Sequence, residues 1–240
     1  MFTLDQIKRQ YPEEIYRRSP KAVIVEYLQY ELLDSIFKLP GSEKLSFMGG
    51  TAIRLVYQSA RFSEDLDFDN FGLSLKDFED IFKQVVADME IKGFTIEFRF
   101  IAKGAYHCYI KFPNLLAFNK LTSHQDEKIL VRIDAVKKKE LFQPEIFILN
   151  GFDVYRKILV NSIAIILSQK IATILQRKRE KGRDFYDVSY LLGLTDPDYK
   201  YLEKTFKVEK ELIKKNLIDR VKKLDMNILA RDVEPFLIKP

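Results

Sequence analysis

The stretch that most constrains this chain runs from Leu45 to Met48 into Gly49-Gly50-Thr51-Ala52-Ile53-Arg54, and is followed by Ser63-Glu64-Asp65-Leu66-Asp67-Phe68. The first four residues are a short apolar run that reads as a strand, and Ala52 to Ser59 reads as a helix. Two glycines at such a junction let the backbone approach a ligand closely, and the N–H groups of the helix then point at an anion. Thr51 can add a hydroxyl, and Arg54, one turn in, is placed to reach the same phosphates. The alternative is an ordinary tight strand-to-helix turn. No G-x-x-x-x-G-K-[ST] loop occurs in the chain.

Asp65 to Asp69 alternates acidic and apolar residues, as a half-buried strand does. Residues i and i+2 of a strand share a face, so Asp65 and Asp67 project side by side, with Leu66 and Phe68 turned into the core. Adjacent carboxylates repel unless a cation lies between them, and Mg²⁺ favours sites made of one or two carboxylates, waters and substrate phosphates. Asp69 continues the same face or ends the strand. Asp134, in Val131-Arg132-Ile133-Asp134-Ala135-Val136, alternates with apolar residues on a later strand. It is either a third carboxylate of a two-metal site or an exposed residue paired with Arg132.

The rest of the chain reads as helix, then mixed α/β, then helix. Apolar residues from Ala22 to Phe37 recur at helical spacing, and Pro40-Gly41-Ser42 ends that helix. Leu75 to Lys92 is a second helix, closed by Gly93 at the position of a C-cap. Strands are expected over Thr95 to Ile101, Tyr106 to Phe112, Ile129 to Val136, Ile146 to Leu149 and Val154 to Val160, the first two joined as a hairpin through Lys103-Gly104. Ser162 suits the N-cap of a long helix to about Arg179; Gly182 breaks it, and Asp184 starts another. The expected fold class is therefore α+β: a mixed sheet flanked by helices with a helical C-terminal region. The expected division is an α/β core with N-terminal helices over residues 1–160 and a helical region over 161–240.

Length and composition fit a globular protein: 240 residues, 47% hydrophobic and 31% charged. No signal peptide is visible, and the longest apolar run, Ile158 to Leu167, is far below the ~20 residues of a membrane span. The single cysteine, Cys108, excludes an internal disulfide framework and reads as a small buried hydrophobe. A cytoplasmic location is the default. The two histidines, His107 and His124, lack partners at metal-ligand spacing. The net charge of +5 is clustered at Lys137 to Lys139, Arg177 to Arg183 and Lys207 to Lys223. Such clusters suit a phosphate-bearing partner or are solvated surface.

Three blocks in this order, Gly49-Gly50-Thr51-Ala52-Ile53-Arg54, Ser63-Glu64-Asp65-Leu66-Asp67-Phe68, and Lys170-Ile171-Ala172 through Arg183-Asp184-Phe185-Tyr186-Asp187, resemble the AbiEii/AbiGii-type nucleotidyltransferases, a branch of the DNA polymerase β-like superfamily. That family includes toxins of type IV toxin–antitoxin and abortive-infection systems. The resemblance spans Gly49 to about Leu192. It implies a nucleotidyltransferase-type sheet. Gly49, Gly50 and Thr51 would hold the triphosphate, with Thr where many relatives have Ser; Arg54, from its place one turn into the helix, and Ser63 are further nucleotide-binding candidates. Asp65 and Asp67 would bind Mg²⁺; Asp134 lies in no distinctive motif. Lys170 would match a helical lysine near the phosphates, and Asp184 the acid of an Arg-Asp motif. On their own surroundings, Lys170 sits in an apolar helix and needs an anion, either triphosphate or a carboxylate of the protein, and Asp184 could equally be a helix cap. The implied activity is transfer of a nucleotide from an NTP to an acceptor, RNA or the 3′ end of tRNA, by a toxin with a cognate antitoxin. A nucleotide-binding module with little turnover, or a small-molecule or protein acceptor, is the alternative.

Overall fold

The computed structural model describes residues 1–119, 121–124, 126–139 and 142–238. Eleven α-helices and seven strands are described: α1 Leu4–Lys8, α2 Glu13–Arg18, α3 Pro20–Phe37, β1 Leu45–Met48, α4 Gly49–Leu55, β2 Leu66–Asn70, α5 Leu75–Ile91, β3 Glu97–Lys103, β4 Ala105–Phe112, α6 Leu115–Phe118, β5 Ile129–Lys137, β6 Glu145–Gly151, β7 Val154–Val160, α7 Ile163–Gln176, α8 Gly182–Leu192, α9 Tyr199–Phe206, α10 Lys210–Val221 and α11 Met226–Val233. The strands form one mixed sheet in the order β3-β4-β5-β2-β1-β7-β6. β2–β5 and β1–β7 are parallel pairs, and the other neighbours are antiparallel. The α+β architecture expected from the sequence is the one observed.

Local chemistry accounts for most boundaries. Ser74 caps α5 by accepting from the Asp77 N–H, and Gly93 closes it at φ +93°, a conformation that costs glycine little. Ser162 caps α7. Among the boundaries that differ from the sequence reading, two lie at glycines. α4 begins at Gly49 itself and is spent by Leu55. α8 begins at Gly182, so this glycine opens a helix rather than only breaking one.

The two faces of the sheet differ in character. On one, Phe68 packs on Phe47 and on Phe37 of α3, and Leu66 and Phe68 are fully buried. Helix α3 is buried nearly all round, and α5 lies beside it with Phe78, Ile81, Phe82, Val85, Val86 and Met89 facing inward. Burying each such side chain contributes about 1.5–3 kcal/mol. The other face carries the acids of β2 and looks onto α7. There Asp69 is fully buried and accepts from Asn161 Nδ2 at 2.8 Å and Gln169 Nε2 at 2.6 Å, tying α7 to the sheet. No described helix is long and apolar enough to cross a membrane.

Candidate active site

The glycine turn and the second acidic residue are built against each other. Gly49 has φ +78°, and a Cβ placed there would lie 2.3 Å from Asp67 Oδ2. Any side chain at Gly49 would thus be strained by its backbone and would collide with Asp67. A Cβ on Gly50 would meet Arg61 Nη2 at 2.6 Å and Ser63 Oγ at 2.8 Å. The turn is therefore closed in by Asp67 on one side and by Arg61 and Ser63 on the other.

Sheet register sets the acids. Asp67 pairs with Met48 on β1 and with Asp134 on β5, and Asp134 pairs with His107 on β4. Asp65 lies one residue ahead of β2, in the approach loop rather than on the strand. Arg132 reaches Asp65 through Nη2 at 2.8 Å and Asp134 through Nε at 3.1 Å, and His107 Nδ1 lies 2.7 Å from Asp134 Oδ1. Asp134 is thus half-buried and held from two sides, not an exposed strand residue. Asp67 is different. Among the described residues it has no hydrogen-bond or ion-pair partner, although protein surrounds it densely. Burial pushes its pKa up from 3.8 to about 6; Lys170 opposes the rise, and Asp134 and Asp65 add to it. Burial also raises Asp65, opposed by Arg132. The three carboxylates do not form a ready-made cage: no described group of three or more His, Cys, Asp or Glu side chains converges as a metal cluster. Arg132, bridging Asp65 and Asp134, holds that space.

Facing Asp67 is a charged layer built by α7 and α8. Lys170 Nζ lies 3.0 Å from Asp184 Oδ1 and 2.8 Å from Asp187 Oδ2. Asp187 is fully buried and forms a two-pronged pair with Arg61, Nε and Nη2 each 2.6 Å from a carboxylate oxygen. Arg177 also pairs with Asp184. Burial pulls the Lys170 pKa down, but Asp187 and Asp184 outweigh it and hold the ammonium charged. Burial likewise pushes Asp187 up, and Lys170 and Arg61 more than reverse this. Met48, Gly49, Gln169, Lys170, Arg177 and Asp184 line a cleft of about 180 Å³ that contains Asp67, and Asp187 and Arg61 stand behind that lining.

Several expectations are corrected. The Arg54 guanidinium does not reach the cleft: Nε and Nη2 donate to Glu26 at 2.7 and 3.0 Å and Nη1 to the Ser59 carbonyl at 2.9 Å, so it ties α4 to α3. The fully buried Thr51 donates its hydroxyl hydrogen to the Asp65 carbonyl, which leaves none for a phosphate; it anchors the acidic loop instead. Asp184 is not a helix cap: Lys181 occupies the N-cap of α8, and the Asp184 carboxylate holds Lys170 and Arg177. The basic clusters are partly structural, since Arg183 pairs with Glu64 and lies over the Phe236 ring, Arg220 pairs with Glu180, and Lys138 lies 3.8 Å from Asp69. Cys108 is fully buried as expected, and burial raises its thiol to about 12.

Arg61, Asp187 and the His107–Asp134 pair escaped the sequence reading. A signal existed for one of them: Asp184 and Asp187 stand three residues apart and so share a helix face.

Comparison with known proteins agrees with this geometry. The structure resembles MenT4, a nucleotidyltransferase toxin from Mycobacterium tuberculosis, with a TM-score of 0.56 at 17% identity over 85% of this chain and 68% of that one. It also resembles JHP933 from Helicobacter pylori (TM-score 0.53, 18% identity, 89% of this chain and 88% of that one) and a putative nucleotidyltransferase from H. pylori (0.52, 18%, 89% and 91%). At these identities the likeness is one of fold. No curated protein matches the sequence. The family described as nucleotidyl transferase AbiEii toxin, type IV TA system, matches residues 31–239. With the motif blocks brought together in a nucleotidyltransferase fold, the chain belongs to the AbiEii nucleotidyltransferase toxin family of type IV toxin–antitoxin systems.

Proposed function

We propose that this nucleotidyltransferase moves a nucleoside monophosphate from an NTP to a hydroxyl of RNA, the 3′ end of tRNA being the acceptor that the family resemblance favours. Mg²⁺ would be held by Asp65 and Asp67, with Asp134 as a third carboxylate. The observation that carries the reading is Asp67, a half-buried acid that lacks a donor and is held against the glycine turn. Such a residue is a poor structural element and a good ligand for a hard divalent cation, and the oxygen-only donor set fits one. When bound, Mg²⁺ would neutralise charge that develops on the phosphates.

The chain's own side chains position the reactants. Gly49 lines the cleft and would present its backbone to a phosphate there, with Asp67 packed into the room its missing side chain leaves, and Ser63 Oγ stands beside Gly50. Lys170 faces the cleft with Asp184 and Asp187 fixing its ammonium, which aims a charge at the triphosphate before it arrives. The cleft of about 180 Å³ is smaller than the ~300 Å³ at which whole-ligand pockets begin, so the phosphates would enter it and the sugar and base would remain outside. The acceptor oxygen then bonds to the α-phosphorus in line as the bond to pyrophosphate breaks, and the hydroxyl proton is lost to water. A cognate antitoxin protein is the expected regulatory partner, and NTP and RNA as substrates would go with a cytoplasmic location.

One observation favours a second reading, a nucleotide-binding module with little turnover: Arg132 bridges Asp65 and Asp134 where a cation would sit. Incubation with each labelled NTP, Mg²⁺ and total RNA separates the two. Label transferred to RNA by the wild type, and abolished in Asp65→Asn and Asp67→Asn, supports transfer. Nucleotide binding without transfer supports the module. Wild-type transfer by both variants sinks the metal assignment.

A further inference from the structure

A second, larger opening lies against Asp65. It is a groove of about 640 Å³ that includes Asp65 and shares no lining residue with the cleft that contains Asp67. Four separate stretches wall it: the start of α3, the loop before β2, the start of β5 and the C-terminal tail. The tail is fastened in place. Phe62 N donates to the Phe236 carbonyl at 2.8 Å, Ile238 N donates to the Ala60 carbonyl at 3.0 Å, and Leu237 bridges to Arg61. One wall of the groove is therefore made by residues some 170 positions away in sequence from the acids beside it.

The lining combines cations with apolar surface. Arg18, Lys21 and Lys128 stand along it, with Leu130, 44% exposed, and Phe236. Lys21 and Lys128 hold Glu127 at 2.8 Å and Glu97 at 2.7 Å, both exposed pairs of the kind that contributes little and that a phosphate can displace. Arg18 has no ion-pair partner among the described residues. Cations along a groove with apolar and aromatic surface between them are the chemistry that binds single-stranded nucleic acid. In-line transfer also needs the attacking oxygen and the leaving pyrophosphate on different sides of the phosphorus. Two separate openings, one lined by Asp65 and the other by Asp67, provide that.

We infer that, granted the proposed transfer to RNA, the acceptor's 3′ end enters through this groove, with its phosphates on Arg18, Lys21 and Lys128 and its terminal base against Leu130 and Phe236. The hydroxyl then reaches Asp65 from one opening while the triphosphate fills the other. This assigns the acceptor to a surface other than the basic stretch around Lys178 and Arg179, which is also exposed.

The test uses the full chain and unfractionated tRNA as the probe, with binding measured across a salt series. The triple variant Arg18→Glu, Lys21→Glu, Lys128→Glu is compared with the double variant Lys178→Glu, Arg179→Glu. In the triple variant, affinity should fall at least about tenfold, and the slope of log affinity against log salt should shrink by about two, near 0.7 for each phosphate no longer neutralised. The double variant should stay within about twofold of wild type. NTP binding should be unchanged in both. Melting temperatures check folding, and the milder triple alanine variant replaces the reversal if that one unfolds. Equal binding by wild type and triple variant, or weakened binding confined to the double variant, overturns the groove and leaves the nucleotidyltransferase reading intact. A wild type that binds NTP but no tRNA at low salt overturns both the groove and the RNA acceptor.

Discussion

Asp67→Asn should make the metal-free protein more stable while removing its activity. In the folded chain the Asp67 pKa rises from 3.8 to about 6, mainly through burial. Each unit corresponds to 1.36 kcal/mol, so holding this carboxylate ionised costs the fold up to about 3 kcal/mol at pH 7.5. The sign follows from linkage. The folded pKa lies above the unfolded one, so the penalty is nearly full above about pH 6, falls to roughly half near pH 5 and to about a fifth at pH 4, and vanishes only below the unfolded pKa, where both states are protonated. Asparagine has the same shape and no charge. Because the cleft is open to water and the new amide needs partners of its own, about 1–3 kcal/mol is the fair expectation. For a chain of this size that is roughly 2–10 °C in melting temperature. The assay is thermal unfolding of wild type and variant in EDTA at pH 7.5, 5 and 4. The variant should melt higher at pH 7.5, and the gap should close as the pH falls. Adding Mg²⁺ should raise the wild type alone, since a ligand stabilises only the form that binds it. Turnover should drop by at least about a hundredfold, equivalent to roughly 3 kcal/mol of transition-state stabilisation. A variant that melts lower than wild type at pH 7.5, or a gap at pH 4 as large as that at pH 7.5, would refute the reasoning.

Asp187→Asn should do the opposite, because it strips the carboxylate from the buried Arg61 and Lys170; a drop of about 3–5 kcal/mol is expected in urea unfolding, and a drop under about 1 kcal/mol would contradict the pairing. Lys170→Ala should likewise lower stability, by leaving Asp187 and Asp184 short of a cation, and should also weaken NTP binding; destabilisation with normal NTP affinity would confine it to a structural role. Arg54→Ala should lower stability through the unpaired Glu26, yet the folded fraction should turn over NTP as wild type does; a selective fall in kcat would return Arg54 to the phosphates. Gly49→Ala should abolish transfer and cost at least about 1–2 kcal/mol, given its positive φ and the collision with Asp67; an active, fully stable variant would show that the turn is not held against the acid.

What could be read from the sequence and what could not divides along physical lines. β1, the glycine turn, β2 and α5 were legible because their signals are local: period-two alternation, period-3.6 alternation, and glycines where the backbone needs them. The register of Asp67 with Asp134 was not, because parallel strands are joined through long crossovers that leave no spacing rule. Arg54 shows the limit most clearly. One turn after Gly50, it lay within reach of either the phosphates or α3, and helix geometry alone could not choose. Glu26 decided it, a buried acid in a helix that reads as merely apolar, 28 positions earlier. Thr51 went the same way, since the Asp65 carbonyl took its only hydrogen. In both cases a buried polar group claimed the nearest partner. Lys170 obeys that rule with Asp184 and Asp187 and still faces the cleft, so satisfying a charge and aiming it are compatible there. Asp67 is the acid in this layer that the rule leaves without a donor, and the site's chemistry is therefore argued from it.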